Sequence, residues 1–222
     1  MASNDADPVK NNAALVTVVA CLAVVAVAVG VHTPFLQTGG RAAILAAAIF
    51  LYLPAAFVWK SNRPEKYGLA LGNIKKSSLE TLLLAVAVSA PFYLLFFALF
   101  PPQGWTGVLS GNIFKLILIQ LAVVAFPEEF FFRGWVQSEL DEAWGRRWKL
   151  PGARLGPGWL VASLLFMAAH VAVEPTVMRT LVFFPGLLFG WLRARTSSVL
   201  YPTLLHAVFN ITFIIAQKAA FF

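Results

Sequence analysis

The sequence predicts an all-α polytopic bundle of about seven transmembrane helices, within a range of six to eight, and three observations carry that prediction. Hydrophobic residues make up 59% of the 222-residue chain and charged residues only 12%, where soluble domains have roughly half apolar and a quarter charged. The apolar residues fall into runs of the length that crosses about 30 Å of hydrocarbon, which takes about 20 residues of helix. Lys and Arg, seventeen against ten Asp and Glu, gather in the short connections between runs, which reads as a topology signal and excludes a nucleic-acid-binding face.

The predicted spans are 13–31, 41–59, 78–100, 113–137, 159–173, 178–194 and 197–217, and they form one integral membrane domain over 1–222. The leader Met1 to Asn12 carries Asp5 and Asp7 against Lys10, so the first run reads as a retained anchor, not a cleaved signal. The fifth run, about 15 residues or about 22 Å of helix, needs its neighbours to shield it from lipid. Pro91 and Pro185 lie within spans, where a local kink is tolerated. The Gly186-x-x-x-Gly190 spacing offers a flat face for close helix packing. Twelve Lys and Arg sit in the tail, the 60–76 loop, the 138–157 loop and the Arg193/Arg195 turn, whereas the other side has only Arg41, Arg179 and Lys218. The positive-inside rule therefore predicts a cytoplasmic N-terminus and an outer C-terminus. Cys21 is the single cysteine, which excludes intramolecular disulfides and thiolate zinc clusters.

Ionisable residues at mid-membrane cost about 2.5–3.5 kcal/mol each on insertion scales and are retained where paired or functional. Here they are Glu128, Glu129 and Arg133 after the run 116–127, His170 closing the run 160–169, and His206 with Asn210 in the last span. Glu129 and Arg133 are spaced i,i+4 with the acid N-terminal, the favourable order for a helical ion pair. Glu128 points about 100° away on the helix and is free to face a cavity. His206 and Asn210, also i,i+4, project from one face and can donate to a shared point. His32 reads as an interface residue at the end of the first span.

Intramembrane hydrolysis needs a group that activates water and donors for the oxyanion. Glu128 with His170 suits the first role and the His206/Asn210 face the second. The acids Asp5, Asp7 and Asp141 all lie outside the spans, so an aspartate dyad is unavailable; no His-Glu-x-x-His occurs, and the stretch 107–111 has the wrong spacing for a rhomboid-type serine motif. A zinc site from Glu128, His170 and His206 remains chemically open, since three N/O ligands plus water is a catalytic zinc arrangement.

At these residues the chain resembles the CAAX-protease and bacteriocin-processing family, the type II CAAX prenyl endopeptidase-like membrane proteins. Glu128-Glu129-x-x-x-Arg133, Phe166-x-x-x-His170 and His206-x-x-x-Asn210 match its three motifs in order, and 113–217 holds the motif-bearing core. The resemblance implies a glutamate-dependent intramembrane endopeptidase without a bound metal. Glu128 and His170 would activate water, His206 and Asn210 would form the oxyanion hole, and Glu129, Arg133 and Phe166 would support the site or bind substrate. Arg133 is a candidate receptor for a substrate's terminal carboxylate. Implied partners are a membrane-embedded or membrane-associated peptide substrate and the bilayer, with no nucleic acid. A bacterial cytoplasmic membrane is the expected location. Two other classes compete: a catalytically silent scaffold or immunity protein, and a proton-coupled transporter. The expected site is a cavity among the fourth, fifth and seventh segments, opening towards the cytoplasmic leaflet.

Overall fold

A computed structural model describes residues 8–104 and 112–221, without the side chains of 8–11. Asp5, Asp7 and the stretch 107–111 lie outside the described residues.

The chain is built from α1 (Pro8–His32), α2 (Arg41–Ser61), α3 (Ile74–Leu99), a long helical run α4 (113–144), a hairpin of β1 (Trp148–Leu150) and β2 (Ala153–Leu155), then α5 (Pro157–Val173), α6 (Phe183–Thr196) and α7 (Leu200–Phe221). Among the described residues five helical stretches are long and apolar enough to cross a membrane: Asn12–His32, Arg41–Ser61, Ile74–Leu99, Val177–Thr196 and Leu200–Phe221. The apolar α5 is shorter, and α4 is assembled from five consecutive helical pieces.

The bundle is apolar outside and partly charged inside, the pattern expected where the solvent is lipid. Leu22, Tyr52, Leu94 and Phe184 are each more than 60% exposed, while Glu129 and Arg133 are fully buried. Helix α1 turns a stripe of small residues inward, Ala13, Val16, Ala20, Ala23, Val24 and Val27, at the three-and-four spacing that keeps one helix face against its neighbours. Asn73 and Asn112 cap α3 and α4 by accepting the backbone N–H three residues on, which satisfies donors that a helix start leaves free.

Connections alternate between two ends. At one end the 62–73 connection is tied down by Tyr67, whose hydroxyl donates to Glu139 at 2.6 Å, and by Lys66, which pairs with Glu139 and Glu142. Burial works against the Lys66 ammonium, but those two carboxylates overcome it and hold its pKa above the ordinary lysine value. Arg193 donates to the Lys66 carbonyl, Tyr201 to the Leu71 carbonyl and the Val199 N–H to Gly68. The opposite end is closed by His32 bonded to the Ala172 carbonyl at 2.9 Å and by Gln103 donating to the Ala219 carbonyl. His32 therefore ties the end of α1 to the last turn of α5.

The β1–β2 hairpin departs from the all-α expectation. Its signal was Pro151-Gly152, a proline followed by a glycine at φ +71°, which is the backbone a type II turn requires. The Arg195 guanidinium fills the space where any side chain at 152 would begin.

The Gly186/Gly190 face does pack closely. A Cβ on Gly190 would stand 2.5 Å from Trp159 Cδ1 and 2.7 Å from Gln137 Oε1, whereas one on Gly186 would have 3.4 Å or more. Gly190→Ala should therefore cost about 1–3 kcal/mol by overpacking and lower the melting temperature in detergent by several degrees. Gly186→Ala should melt close to the parent protein; equal losses at the two positions would refute close approach as the reason for Gly190.

Candidate functional site

Helix α4 carries the acidic pair between two irregular stretches. Gln120–Ala125 and Phe130–Val136 are wound as π-helix and flank the α-helical turn Phe126–Glu129. Phe126 N–H reaches back to the Leu121 carbonyl and Gln137 N–H to that of Phe132, one residue farther than in an α-helix. Pro127 accounts for the first stretch, because it has no N–H to donate and its ring crowds the carbonyl four residues back. Each inserted residue turns the following side chains by about 100°, so these bulges set where Glu128 and Glu129 point.

Glu129 faces the bundle interior. Its Oε1 accepts from Arg133 Nη1 at 2.9 Å and lies 2.9 Å from His206 Nδ1. Arg133 also donates to the Gly186 carbonyl at 3.2 Å, and its guanidinium lies 4.2 Å from the Phe166 ring centre, where the ring quadrupole attracts a cation. His206 stacks on Phe189 at 5.0 Å and meets Phe166 edge-on. The three polar side chains thus form one buried cluster held in an aromatic box. Arg133 is wholly enclosed, between Glu129, a helix carbonyl and the aromatic rings.

Glu128 points the other way. Its Oε2 is buried with no hydrogen-bond partner and lies 3.9 Å from His206 Nε2. It lines a cavity of about 290 Å³ together with His170, the ring that closes α5. His170 Nδ1 is 2.9 Å from the Phe166 carbonyl. A carbonyl only accepts, so Nδ1 carries the proton and Nε2 of the neutral ring is an acceptor. Phe166 therefore has two jobs, orienting His170 through its backbone and flanking Arg133 and His206 through its ring.

The remaining cavity wall is mostly apolar, with Val27 and Val31 from α1 and Ala42, Ala43, Ala46 and Ala47 from α2, and is joined by Arg179 near the start of α6. Arg179 is paired with Glu174. This differs in two ways from the sequence expectation. The cavity lies among α1, α2, α4 and α5, with α7 contributing only from behind Glu128 through His206. It also adjoins the end that bears His32 and Arg179, not the end of the basic loops. The reason is that α4 continues to Trp144 and its last pieces are packed shut: Trp135, Val136 and Leu140 are fully buried, against α1, α2 and α5. Glu128 then sits near the middle of α4, about 22 Å from its start and about 24 Å from its end.

Asn210 does not point at the same spot as His206 Nε2. Its amide donates to Gln120 Oε1 at 2.9 Å. Gln120 and Phe189 are the two site residues that sequence reasoning passed over. An uncharged amide inside an apolar run was a readable signal for Gln120, while Phe189, one of twenty phenylalanines, carried none. Among the described residues no group of three His, Cys, Asp or Glu side chains is placed to hold a metal.

Fold and site together define an integral membrane protein in which a partly buried carboxylate and histidine face a mostly apolar cavity inside the bundle. Residues 110–212 match the family model described as Type II CAAX prenyl endopeptidase Rce1-like, in keeping with the resemblance of the three motifs. No curated protein and no solved structure matches the chain.

Proposed function

We propose that the protein is an intramembrane endopeptidase that hydrolyses a peptide bond in a membrane-associated or C-terminal substrate segment. The observation that carries this reading is the buried Glu128 Oε2, without a hydrogen-bond partner, in one cavity with His170. An unpaired buried carboxylate is costly, so its retention needs a task, and accepting a proton from water is the task that its position suits. Glu128, with His170 Nε2 as second acceptor, takes a proton as water attacks the peptide carbonyl, and the resulting carboxylic acid returns it to the departing amine.

The oxyanion falls to His206 and Asn210. His206 donates an Nδ1–H hydrogen bond to Glu129, which with Arg133 holds the ring in orientation, and its Nε2 donates to the oxyanion when the ring is doubly protonated. Asn210 retains a second amide hydrogen beyond the one held by Gln120. No metal is needed for these steps. Counting α4 and α5 as crossings gives seven spans with the N-terminus in the cytoplasm of a bacterial cell, supported by the basic residues of the 62–73 and 145–156 connections.

The deciding experiment compares new peptide termini, by mass spectrometry, in membranes with the wild-type protein or Glu128→Gln, and repeats wild type with a zinc chelator. Termini that need Glu128 and survive chelation are expected. Termini lost on chelation would restore the zinc reading from Glu128, His170 and His206. No difference between folded variants would move the assignment to a scaffold or a transporter.

A further inference from the structure

The end of the bundle with the basic connections carries a second cleft, of about 450 Å³, whose charged lining is Arg146, Lys149 and Arg154 with no acid among the lining residues. Lys149 and Arg154 stand directly opposite each other in the β1–β2 register, an arrangement of like charges that destabilises a hairpin. Among the described residues neither has a carboxylate within 4 Å, and Arg146 only approaches Asp141 at 3.9 Å. Their neighbours at the same end are treated differently: Lys66 is paired with Glu139 and Arg195 with Glu80.

The cations are also held on a fixed ribbon. The Pro151 carbonyl at its tip accepts from Arg195 Nη1 at 2.9 Å and from Trp191 Nε1 at 3.2 Å, and Trp148 meets Trp159 edge-on. Trp148 and Leu150, on the strand face opposite Lys149, are each more than a third exposed, as suits an element lying at the level of lipid headgroups. Two uncompensated cations and a third, Arg146, paired only at 3.9 Å with Asp141, on a rigid support at that level call for an anion with several oxygens.

We propose that this cleft binds a phosphate group, supplied by the headgroup of an anionic phospholipid, with Lys149 and Arg154 gripping it from the ribbon and Arg146 from beyond the end of α4. The bound phosphate offsets the repulsion across the hairpin and seats the loop end of the bundle against the bilayer surface. This site is separate from the Glu128 cavity and does not depend on the peptidase reading.

Native mass spectrometry of the delipidated full-length protein, given equal phosphatidylglycerol and phosphatidylcholine, tests it. Each basic residue near an anionic surface contributes about five-fold, so Lys149→Gln with Arg154→Gln should lower the preference for phosphatidylglycerol by about 25-fold. Lys149→Glu separates binding from folding: it converts the repulsive pair into an attractive one and should raise the melting temperature while abolishing the preference. Inorganic phosphate, titrated into wild type in phosphatidylcholine nanodiscs, distinguishes the sources; a raised melting temperature there with no lipid preference would assign the site to free phosphate. An unchanged preference in the double variant, or an equal loss from Lys115→Gln with Lys218→Gln at the opposite end, would overturn the site.

Discussion

Glu128→Gln should abolish proteolysis without destabilising the protein. The substitution keeps the side chain's shape and removes only its ability to take a proton, and loss of a positioned general base costs about 10²–10⁴-fold in rate, or about 3–5 kcal/mol of barrier. The structural consequence runs the other way. Glu128 Oε2 has no hydrogen bond to lose and only a 3.9 Å approach to His206, and a neutral amide is cheaper to keep in an apolar cavity than a carboxylate. The melting temperature should therefore stay level or rise. Activity and stability moving apart in this way is the mark of a residue kept for chemistry at some cost in stability. A merely structural Glu128 would lose both together, and a falling melting temperature with residual cleavage would end the assignment of this residue as the base. His170→Ala offers a weaker version of the same contrast, since that ring also packs on Phe166 at 4.4 Å and its removal leaves a void.

The pair behind Glu128 should behave in the opposite manner. Arg133→Met leaves Glu129 charged and fully buried with only His206 to answer it, and Glu129→Gln leaves Arg133 charged among Phe132, Phe166 and Phe189. Breaking one side of a buried pair costs about 3–5 kcal/mol, whereas replacing both sides by neutral groups is often close to neutral. Each single variant should melt far below wild type, and the double variant Glu129→Gln with Arg133→Met should recover most of the loss. Catalysis should not recover, because the double variant still lacks the carboxylate that orients His206. Thermal denaturation in detergent, read beside cleavage rate, checks both halves. A double variant as unstable as the worse single one would show that the pair is not energetically coupled; a double variant with restored cleavage would show that Glu129 and Arg133 serve the fold alone.

These two contrasts rest on different kinds of legibility. The ion pair was readable because an i,i+4 spacing fixes the distance between two side chains whatever surrounds the helix, and the 2.9 Å contact follows from it. The grouping of Glu128, His170 and His206 was readable only in kind, as ionisable groups that lipid does not tolerate. Which of them share a cavity was not readable. His206 and Asn210 share the face of α7 that their spacing requires, yet their polar atoms go to different partners, Glu129 and Gln120, because the π-wound stretch Gln120–Ala125 brings an amide to Asn210 that a uniform helix would have turned elsewhere. Apolar periodicity carries no trace of such a stretch. Pro127 was its only written sign.

By itself the sequence determined that the chain lives in a membrane, that it is nearly all helix, and which polar residues needed a reason to be there. Those conclusions follow from local quantities: run length against bilayer thickness, residue spacing against helical pitch, and the transfer cost of a charge. Tertiary structure alone decided that the Glu128 cavity is walled by valines and alanines of α1 and α2, that it lies away from the basic loops, and that Arg133 is sealed in. Each of these depends on where the extended α4 ends and what packs over it, and contacts between segments distant in sequence leave no mark in the pattern of any one of them.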